Sequence, residues 1–498
     1  MNIDELPPEL LVKIFSHLSQ DDLFTVIDKV CVNWREQLLH EPSLWRKINF
    51  PYHIWIDFSK YTKQFTNIAS HIQELTIAEH RLQQVLNYGG NMMFSNLKVI
   101  HVSLDTYDFC NEIVKRCPVI ETVGLSIQDA LRVDIEKCLK IFESIMLKGL
   151  LIEYRGEREK FNRAMTSFLR KQPALQELVV TTEKIFADNV FKDLFKLCPE
   201  ITKFHCGEDC ISNSVFTDSV EPLDITDLSV TGAFDFNDDG LSSATSRSRN
   251  LTSLDITGCT NISNDGFRYI SENCKSLKKL TFGSKFMDFR PLAIASESLS
   301  VIAAGCQLLE SLSVRQCSID ALGVTRIAQC CRNIKVIDFH LCPMISDTSL
   351  FAIADNCIHL VTASFTLADG ITIKGVIAPI LSCPKMYRLR FGFCNNITYL
   401  PDNAEEFAPN EPDQERGVIR RYFEKVNTIN RDGIDVNLSH LKILQLPCPN
   451  ITTRTILQLA VLCPELERLD TGRCRLNFNP EEKEKLMSSC RLLSYEED

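Results

Sequence analysis

The chain has 498 residues, a net charge of −11, 45% hydrophobic residues and 21 cysteines. That length fits several ordinary domains or one repeat array. The acidic balance excludes an ordinary nucleic-acid binder, whose footprint is basic. Met1 is followed by Asp4 and Glu5 rather than an apolar run, so no signal peptide is expected. No apolar run approaches the ~20 residues that span a bilayer, so no membrane partner is expected. The cysteines are then expected to be free thiols in a reducing compartment, cytoplasmic and/or nuclear. There a Cys side chain acts as a small apolar group. The N-x-S/T triplets at Asn261, Asn396, Asn437 and Asn450 read as chance or as turn residues rather than glycosylation sites.

Three short helices fit residues 6–45. The first comes after Pro7-Pro8 and carries Leu10, Leu11, Ile14, Phe15 and Leu18 at helical spacing. Ser19 with Asp22 reads as a capping box opening a second helix, which holds Leu23, Val26, Ile27 and Val30. A third carries Cys31, Trp34 and Leu38 and stops near Pro42. A unit of this size makes a poor core alone. Its apolar residues either pack on the rest of the chain or are kept for another protein.

The order Leu6-Pro7, Leu10, Ile14-Phe15, Leu18, Leu23, Val30-Cys31, Trp34-Arg35, Leu44-Trp45 closely resembles the F-box family, over residues 3–48. The resemblance implies a trihelical module that docks on a SKP-type adaptor and so on a cullin–RING ubiquitin ligase core. The adaptor-binding residues it implies are Leu6, Pro7, Leu10, Ile14, Phe15, Leu18, Leu23, Val30, Trp34, Leu44 and Trp45.

Residues 49–71 are aromatic and apolar, which suits an ordered joint with Trp55 and Phe58 packed on the first turn of a repeat array. From Ile72 an L-x-x-L-x-L unit recurs. It starts at Ile72, Leu97, Ile120, Leu147, Leu175, Ile201, Ile225, Leu251, Leu277, Leu309, Ile334, Leu360, Met386, Leu441 and Leu466. Most starts lie 23 to 28 residues apart, with longer steps from 277 to 309 and from 386 to 441. A fixed period of that size marks a solenoid. Alternation by two at the start of each unit gives a strand, and helical spacing succeeds it. Stacked units then share one core, with strands lining an inner curve and helices outside. The fold class expected is α/β: a small trihelical module and then a curved solenoid over 72–475, about fifteen repeats, with a parallel inner sheet and outer helices.

A Cys stands after the strand at Cys259, Cys317, Cys342, Cys394 and Cys474, and another closes the helix at Cys117, Cys198, Cys274, Cys306, Cys331, Cys357, Cys383 and Cys463. With runs such as CTNISNDGFRYISENCKSL (259–277), this resembles the cysteine-containing leucine-rich repeats. The resemblance is strong from about 250 to 475. It is weaker from 72 to 249, where Glu79, Asp105, Gln128, Arg155, Glu183, Asp209 and Ala233 replace the post-strand Cys. The long step holds a Pro- and charge-rich insertion near 400–428, read as a loop, and a smaller insertion falls near 285–292. Residues 476–498 read as a cap with a closing helix from Asn479-Pro480, ending in an acidic tail, Tyr495–Asp498, that frays.

No phosphate-cradling glycine motif, HExxH or zinc-spaced CxxC pair occurs, and no His is tied by sequence to a Cys as its base. No cofactor and no metal site are expected, with Cys206 and Cys210 the weak exception considered. The third, fifth and post-strand positions of each unit face the concave side. From Leu251 onward these include Asp255, Lys279, Arg315, Asp338, His340, Arg388, Arg390, Arg468 and Asp470. Arg315, His340, Arg388, Arg390 and Arg468 are the candidate substrate-binding residues, since forked guanidinium groups suit carboxylates and phosphates. The substrate expected is a protein, with an acidic or phosphorylated segment as the candidate contact. The resemblances together imply a non-catalytic substrate-recognition subunit of an SCF-type ubiquitin ligase. The alternative is an F-box and repeat scaffold that does not drive ubiquitination.

Overall fold

In this computed structural model each of the fifteen expected repeat starts leads, two residues on, into a parallel strand. The structure describes residues 6–27, 29–50, 62–182, 191–207, 211–217, 222–285, 292–400, 420, 440–476, 478–489 and 492–496. The chain divides into two units, Met1–Leu223 and Asp224–Asp498.

The first unit opens with the helices Pro8–Phe15, Gln20–Ile27, Val32–Leu39 and Pro42–Trp45. Pro7 and Pro8 start the first helix, where missing N–H groups cost nothing. Ser19 Oγ accepts from the Asp22 N–H at 3.2 Å and donates to the Asp22 carboxylate at 2.7 Å. The second helix is thus closed on itself as expected, though the carboxylate meets the hydroxyl rather than the Ser19 N–H. The fourth helix departs from the expectation. Pro42 does not only stop the third helix but opens another, because Glu41 accepts from the Ser43 N–H at 3.1 Å and caps it.

Seven strands of this unit pair in chain order: β1 (Lys47–Asn49), β2 (Glu74–Ala78), β3 (Val99–Ser103), β4 (Thr122–Ile127), β5 (Gly149–Tyr154), β6 (Glu177–Thr182) and β7 (Lys203–Gly207). β1 precedes the first expected repeat. Backbone bonds from Gln73 and Glu74 to the Arg46 carbonyl, 2.8 and 2.9 Å, seat it on the sheet. The helical module is therefore built onto the array by its last strand. Of the expected joint, residues 51–61, with Trp55 and Phe58, lie outside the described residues, and Thr62–Ile68 is a helix.

The second unit runs β8 (Asp227–Thr231), β9 (Ser253–Thr257), β10 (Lys279–Gly283), β12 (Ser311–Arg315), β14 (Val336–His340), β15 (Thr362–Thr366), β16 (Arg388–Gly392), β17 (Ile443–Gln445), β18 (Arg468–Arg475) and β19 (Leu492–Glu496), again in parallel and in order. β11 (Leu292–Ala295) and β13 (Cys317–Ser318) form a small separate pair at the 277-to-309 step. Ten-residue helices such as Asn264–Asn273, Ala321–Cys330 and Asp347–Asn356 come after the strands. Most of the 400–428 insertion and residues 286–291 lie outside the described residues.

The end of the chain departs from expectation. Leu492–Glu496 does not fray; it pairs with β18 and satisfies a sheet edge whose N–H and C=O groups would otherwise stay open. Glu497 and Asp498 are outside the described residues. The closing helix Pro480–Ser489 carries a reciprocal cap: the Glu482 N–H donates to Asn479 Oδ1 at 2.8 Å and the Asn479 N–H to Glu482 Oε2 at 2.9 Å.

The repeats bind one another through recurring side-chain rungs. Buried thiols donate to carbonyls one repeat back: Cys259 to Val230 at 3.0 Å, Cys394 to Phe365 at 3.8 Å and Cys474 to Leu446 at 3.0 Å. Cys448 does the same to Phe391 at 3.4 Å. Its repeat is one residue shorter between the strand and the Cys, so the motif spacing hides it. The helix-end cysteines are buried too, and burial pushes Cys274, Cys331 and Cys383 up to about 12, far from the reactive thiolate form. Asn261, Asn396 and Asn450 donate their amides to the preceding repeat's carbonyls at Phe234, Asp369 and Asn395. These turn residues therefore link neighbouring repeats; Asn437 lies outside the described residues. In the first unit Glu79 takes the place of a Cys. Its buried carboxylate accepts from the Asp105 and Thr106 N–H groups at 2.6 and 2.8 Å and from Thr106 Oγ1 at 2.7 Å. Among the described residues no helix is long and apolar enough to cross a membrane.

Candidate functional site

Two surfaces draw on the residues singled out in the sequence. On the N-terminal module, Leu10, Ile14 and Leu18 are 49, 53 and 38% exposed, and Val32 on the third helix is 66% exposed. Leu10 and Ile14 stand at i and i+4 of the first helix and so share one face, and Leu18 lies in the bend just past its end. Pro7 is exposed, and Leu6, Val30, Trp34 and Leu44 are half-buried. Phe15, Leu23 and Trp45 are buried at 5, 3 and 0%. They fill the interior of the module. Phe15 packs edge-on against Trp34 with centroids 6.0 Å apart. Trp45 donates its indole N–H to the Leu38 carbonyl at 2.7 Å. Phe24 then links Trp45, Phe50 and Phe65, at 5.2, 5.4 and 6.2 Å, so an aromatic chain ties the module to the first turn of the array.

The second surface is the strand face of the second unit opposite its core. Beneath it Phe339, Phe365 and Phe391 stack at 6.1 and 5.5 Å and hold successive strands in register. Strand pairing sets three rows. The first holds Val336, Thr362, Arg388, Ile443 and Arg468; the second Asp338, Ser364, Arg390, Gln445 and Asp470; the third Arg315, His340, Thr366 and Gly392. Arg315 and Arg390 both act on His340 electrostatically, from strands on opposite sides of it. Burial holds the His340 imidazole below its usual value. The two arginines push the same way and Asp338 opposes them. Its Nδ1 is bonded to Thr366 Oγ1. Asp338 accepts from Ser313 Oγ at 3.2 Å. Arg388 stands beside Arg390 on β16. Arg468 shares the Arg388 row two strands on, but it is engaged by Asp470 at 3.5 Å. Among the described residues Arg315, Arg388 and Arg390 have no carboxylate within ion-pair distance, and all three are exposed.

Sequence reasoning missed a hollow of about 840 Å³ in the first unit. Its lining includes Phe50, Ala78, His101, Ser103, Asp105, Gly124, Ser126, Leu151 and Glu153. It exists because small side chains occupy the strand face. His101 lies across Gly124, where a Cβ would stand 2.1 Å from Nδ1. Burial keeps the His101 imidazole below its ordinary value. The run of Ala, Ser and Gly at these positions was the available signal.

The geometry defines a class: a small helical module with an exposed apolar face, built onto a strand-and-helix repeat array. Residues 3–51 match the F-box-like family model. The chain is 38% identical over 72 residues to F-box/LRR-repeat protein 21 of Arabidopsis thaliana, which covers 14% of this chain and 22% of that protein. It is 25% identical over 201 residues to a further Arabidopsis thaliana F-box protein, covering 40% of this chain and 48% of that one. The matched stretches span less than half the length of these curated relatives. A crystal structure of the Rad7 and Elc1 complex in yeast is similar with a TM-score of 0.41 at 13% identity, covering 74% of this chain and 90% of that one. Residues 3–51 thus match an F-box-like module, and strand-and-helix repeats come after it.

Proposed function

We propose that this chain is the substrate-recognition subunit of an SCF-type ubiquitin ligase. The F-box-like module binds a SKP-type adaptor, and through it a cullin–RING core. The repeats bind a protein substrate on their strand face, in the cytoplasm and/or nucleus. The observation that carries this reading is the exposed Leu10, Ile14 and Leu18 face on an F-box-like module whose interior is already filled by Phe15, Leu23 and Trp45. Apolar side chains left out of a well-packed core are suited to a partner surface. The chain itself performs no chemistry. It acts by proximity, raising the local concentration of substrate beside a ubiquitin-loaded enzyme and orienting its lysines. On the strand face, the unpaired Arg388 and Arg390 with Arg315 and His340 suit an acidic or phosphorylated substrate segment.

Co-purification of the full chain with a SKP-type adaptor and a cullin tests the first half. The parent chain is expected to bring down both, and a Leu10→Asp/Ile14→Asp variant of unchanged melting temperature neither. Recovery of both by that variant overturns the assignment of the face. An Arg388→Glu/Arg390→Glu variant is expected to keep the adaptor and lose captured substrate.

A further inference from the structure

The residue after six strands of the second unit, β8, β9, β12, β14, β15 and β16, is held in a left-handed backbone conformation by the array. Its N–H must reach the carbonyl at the end of the next strand: Gly232 to Thr257 at 2.8 Å, Gln316 to His340 at 2.7 Å, Leu341 to Thr366 at 3.0 Å and Leu367 to Gly392 at 2.8 Å. Phe393 reaches the Pro447 carbonyl at 3.0 Å. Glycine meets this demand without strain, as at Gly232 and Gly258, where φ is 70° and 81°. Four repeats use a residue with a side chain instead: Gln316, Leu341, Leu367 and Phe393, with φ between 54° and 57°. Left-handed backbone is unfavourable for bulky residues. Burial accounts for Gln316, which is 4% exposed. It does not account for Leu367 and Phe393, which are 38 and 40% exposed. These positions combine backbone strain with exposed apolar surface where glycine would avoid both, and such outliers point toward function.

They also adjoin the unpaired cations. Leu341, Leu367 and Phe393 each come directly after a member of the row formed by Arg315, His340, Thr366 and Gly392. Thr366 and Gly392 are buried and small, so the floor stays low between the apolar edge and Arg390.

We propose that Leu341, Leu367 and Phe393 form an apolar ledge which, with Arg315, Arg388 and Arg390, seats an acidic peptide segment of another protein that carries bulky apolar side chains. This deepens the reading of the strand face as a capture surface and rests on it. Charge complementarity selects the occupant. Arg315 and Arg390 lie three strands apart, about 14 Å. That is roughly four residues of extended peptide. The spacing suits successive carboxylates better than one phosphate, while the ledge takes the side chains between them.

A positional-scanning library of fluorescein-labelled decapeptides, with Glu fixed at two positions, tests this on the full chain by fluorescence anisotropy. A parallel set carries phosphoserine in place of Glu. The parent chain is expected to select Glu peptides with Leu, Phe, Ile or Met between the acids. A Leu367→Gly/Phe393→Gly variant should bind the selected peptide roughly tenfold more weakly. Its melting temperature should be equal or higher, because glycine relieves the left-handed strain. It should keep its affinity for Glu peptides lacking apolar residues. A Leu367→Asn/Phe393→Asn variant, which also tolerates this backbone, serves if the glycine pair does not fold. Undiminished binding by these variants overturns the ledge, as does selection indifferent to apolar residues, a preference for phosphoserine, or no selected peptide at all. Undiminished binding by Arg388→Glu/Arg390→Glu instead overturns the charge reading beneath it.

Discussion

His340 shares a row with Arg315, and its surroundings shift its titration. Burial, helped by the Arg315 and Arg390 guanidinium groups and opposed by Asp338, holds its imidazole below the usual value. Because its folded value lies below the unfolded one, about 6.5, its contribution to stability is present above that pH and is lost as pH falls through the folded value. The same protonation adds a positive charge among Arg315 and Arg390. Affinity for an acidic peptide is therefore expected to rise as pH falls below about 6.5 while the melting temperature falls slightly. A His340→Gln variant should show neither change, as read by anisotropy and thermal melts. Asp347 is a second single-residue device. Buried between repeats, it accepts from the Thr372 and Gly375 N–H groups at 2.8 and 3.1 Å and from Thr372 Oγ1. Burial raises its carboxyl, and those bonds oppose the rise. Asp347→Ala strands these donors and should cost about 2–3 kcal/mol in denaturant unfolding.

At the scale of the element, the first helix divides its labour between adjacent residues. Ile14 is 53% exposed and Phe15 is 5% exposed. Both fit the family pattern, so the pattern alone does not say which faces outward. Substitution separates them. Ile14→Asp changes an exposed side chain and should leave the melting temperature within about 1 °C, since surface substitutions away from special features fall within about 0.5 kcal/mol. Trp45→Ala empties the junction of Phe24, Trp45 and Leu38 and should destabilise the first unit by about 3–5 kcal/mol. If Trp45→Ala melts like the parent, the aromatic chain does not hold the module to the array. The strands were the most legible elements, because a period of two under a longer repeat is hard to mimic. β1 and β19 were not. Lys47–Asn49 and Leu492–Glu496 lack the full repeat, and they become strands because a neighbouring edge offers unpaired backbone groups.

For the molecule as a whole, the choice between ligase receptor and passive scaffold lies in turnover rather than binding. If the receptor reading holds, removing the chain from cells should lengthen the half-life of any protein captured by Arg388 and Arg390 several-fold. Re-expression of the Leu10→Asp/Ile14→Asp variant should not restore it. A captured protein whose half-life is unchanged by removal of the chain would assign the scaffold role.

Residue order alone was enough for the periodicity, the phase of every repeat strand from Ile72 to Leu466, and which strand residues of the repeats face away from the core. All of these rest on local chain geometry, where side chains alternate along a strand and recur every third or fourth residue along a helix. Folding had to be seen before the F-box signature residues could be sorted into buried and exposed, or the arginines into paired and unpaired, with Arg468 taken up by Asp470. The hollow over Gly124 and the left-handed ledge at Leu341, Leu367 and Phe393 likewise emerge only in three dimensions. Apart from the Arg468–Asp470 pair, which lies within one strand, those properties belong to contacts between residues far apart in sequence. A local pattern carries no record of which neighbour arrives, or of the backbone angle its hydrogen bond imposes.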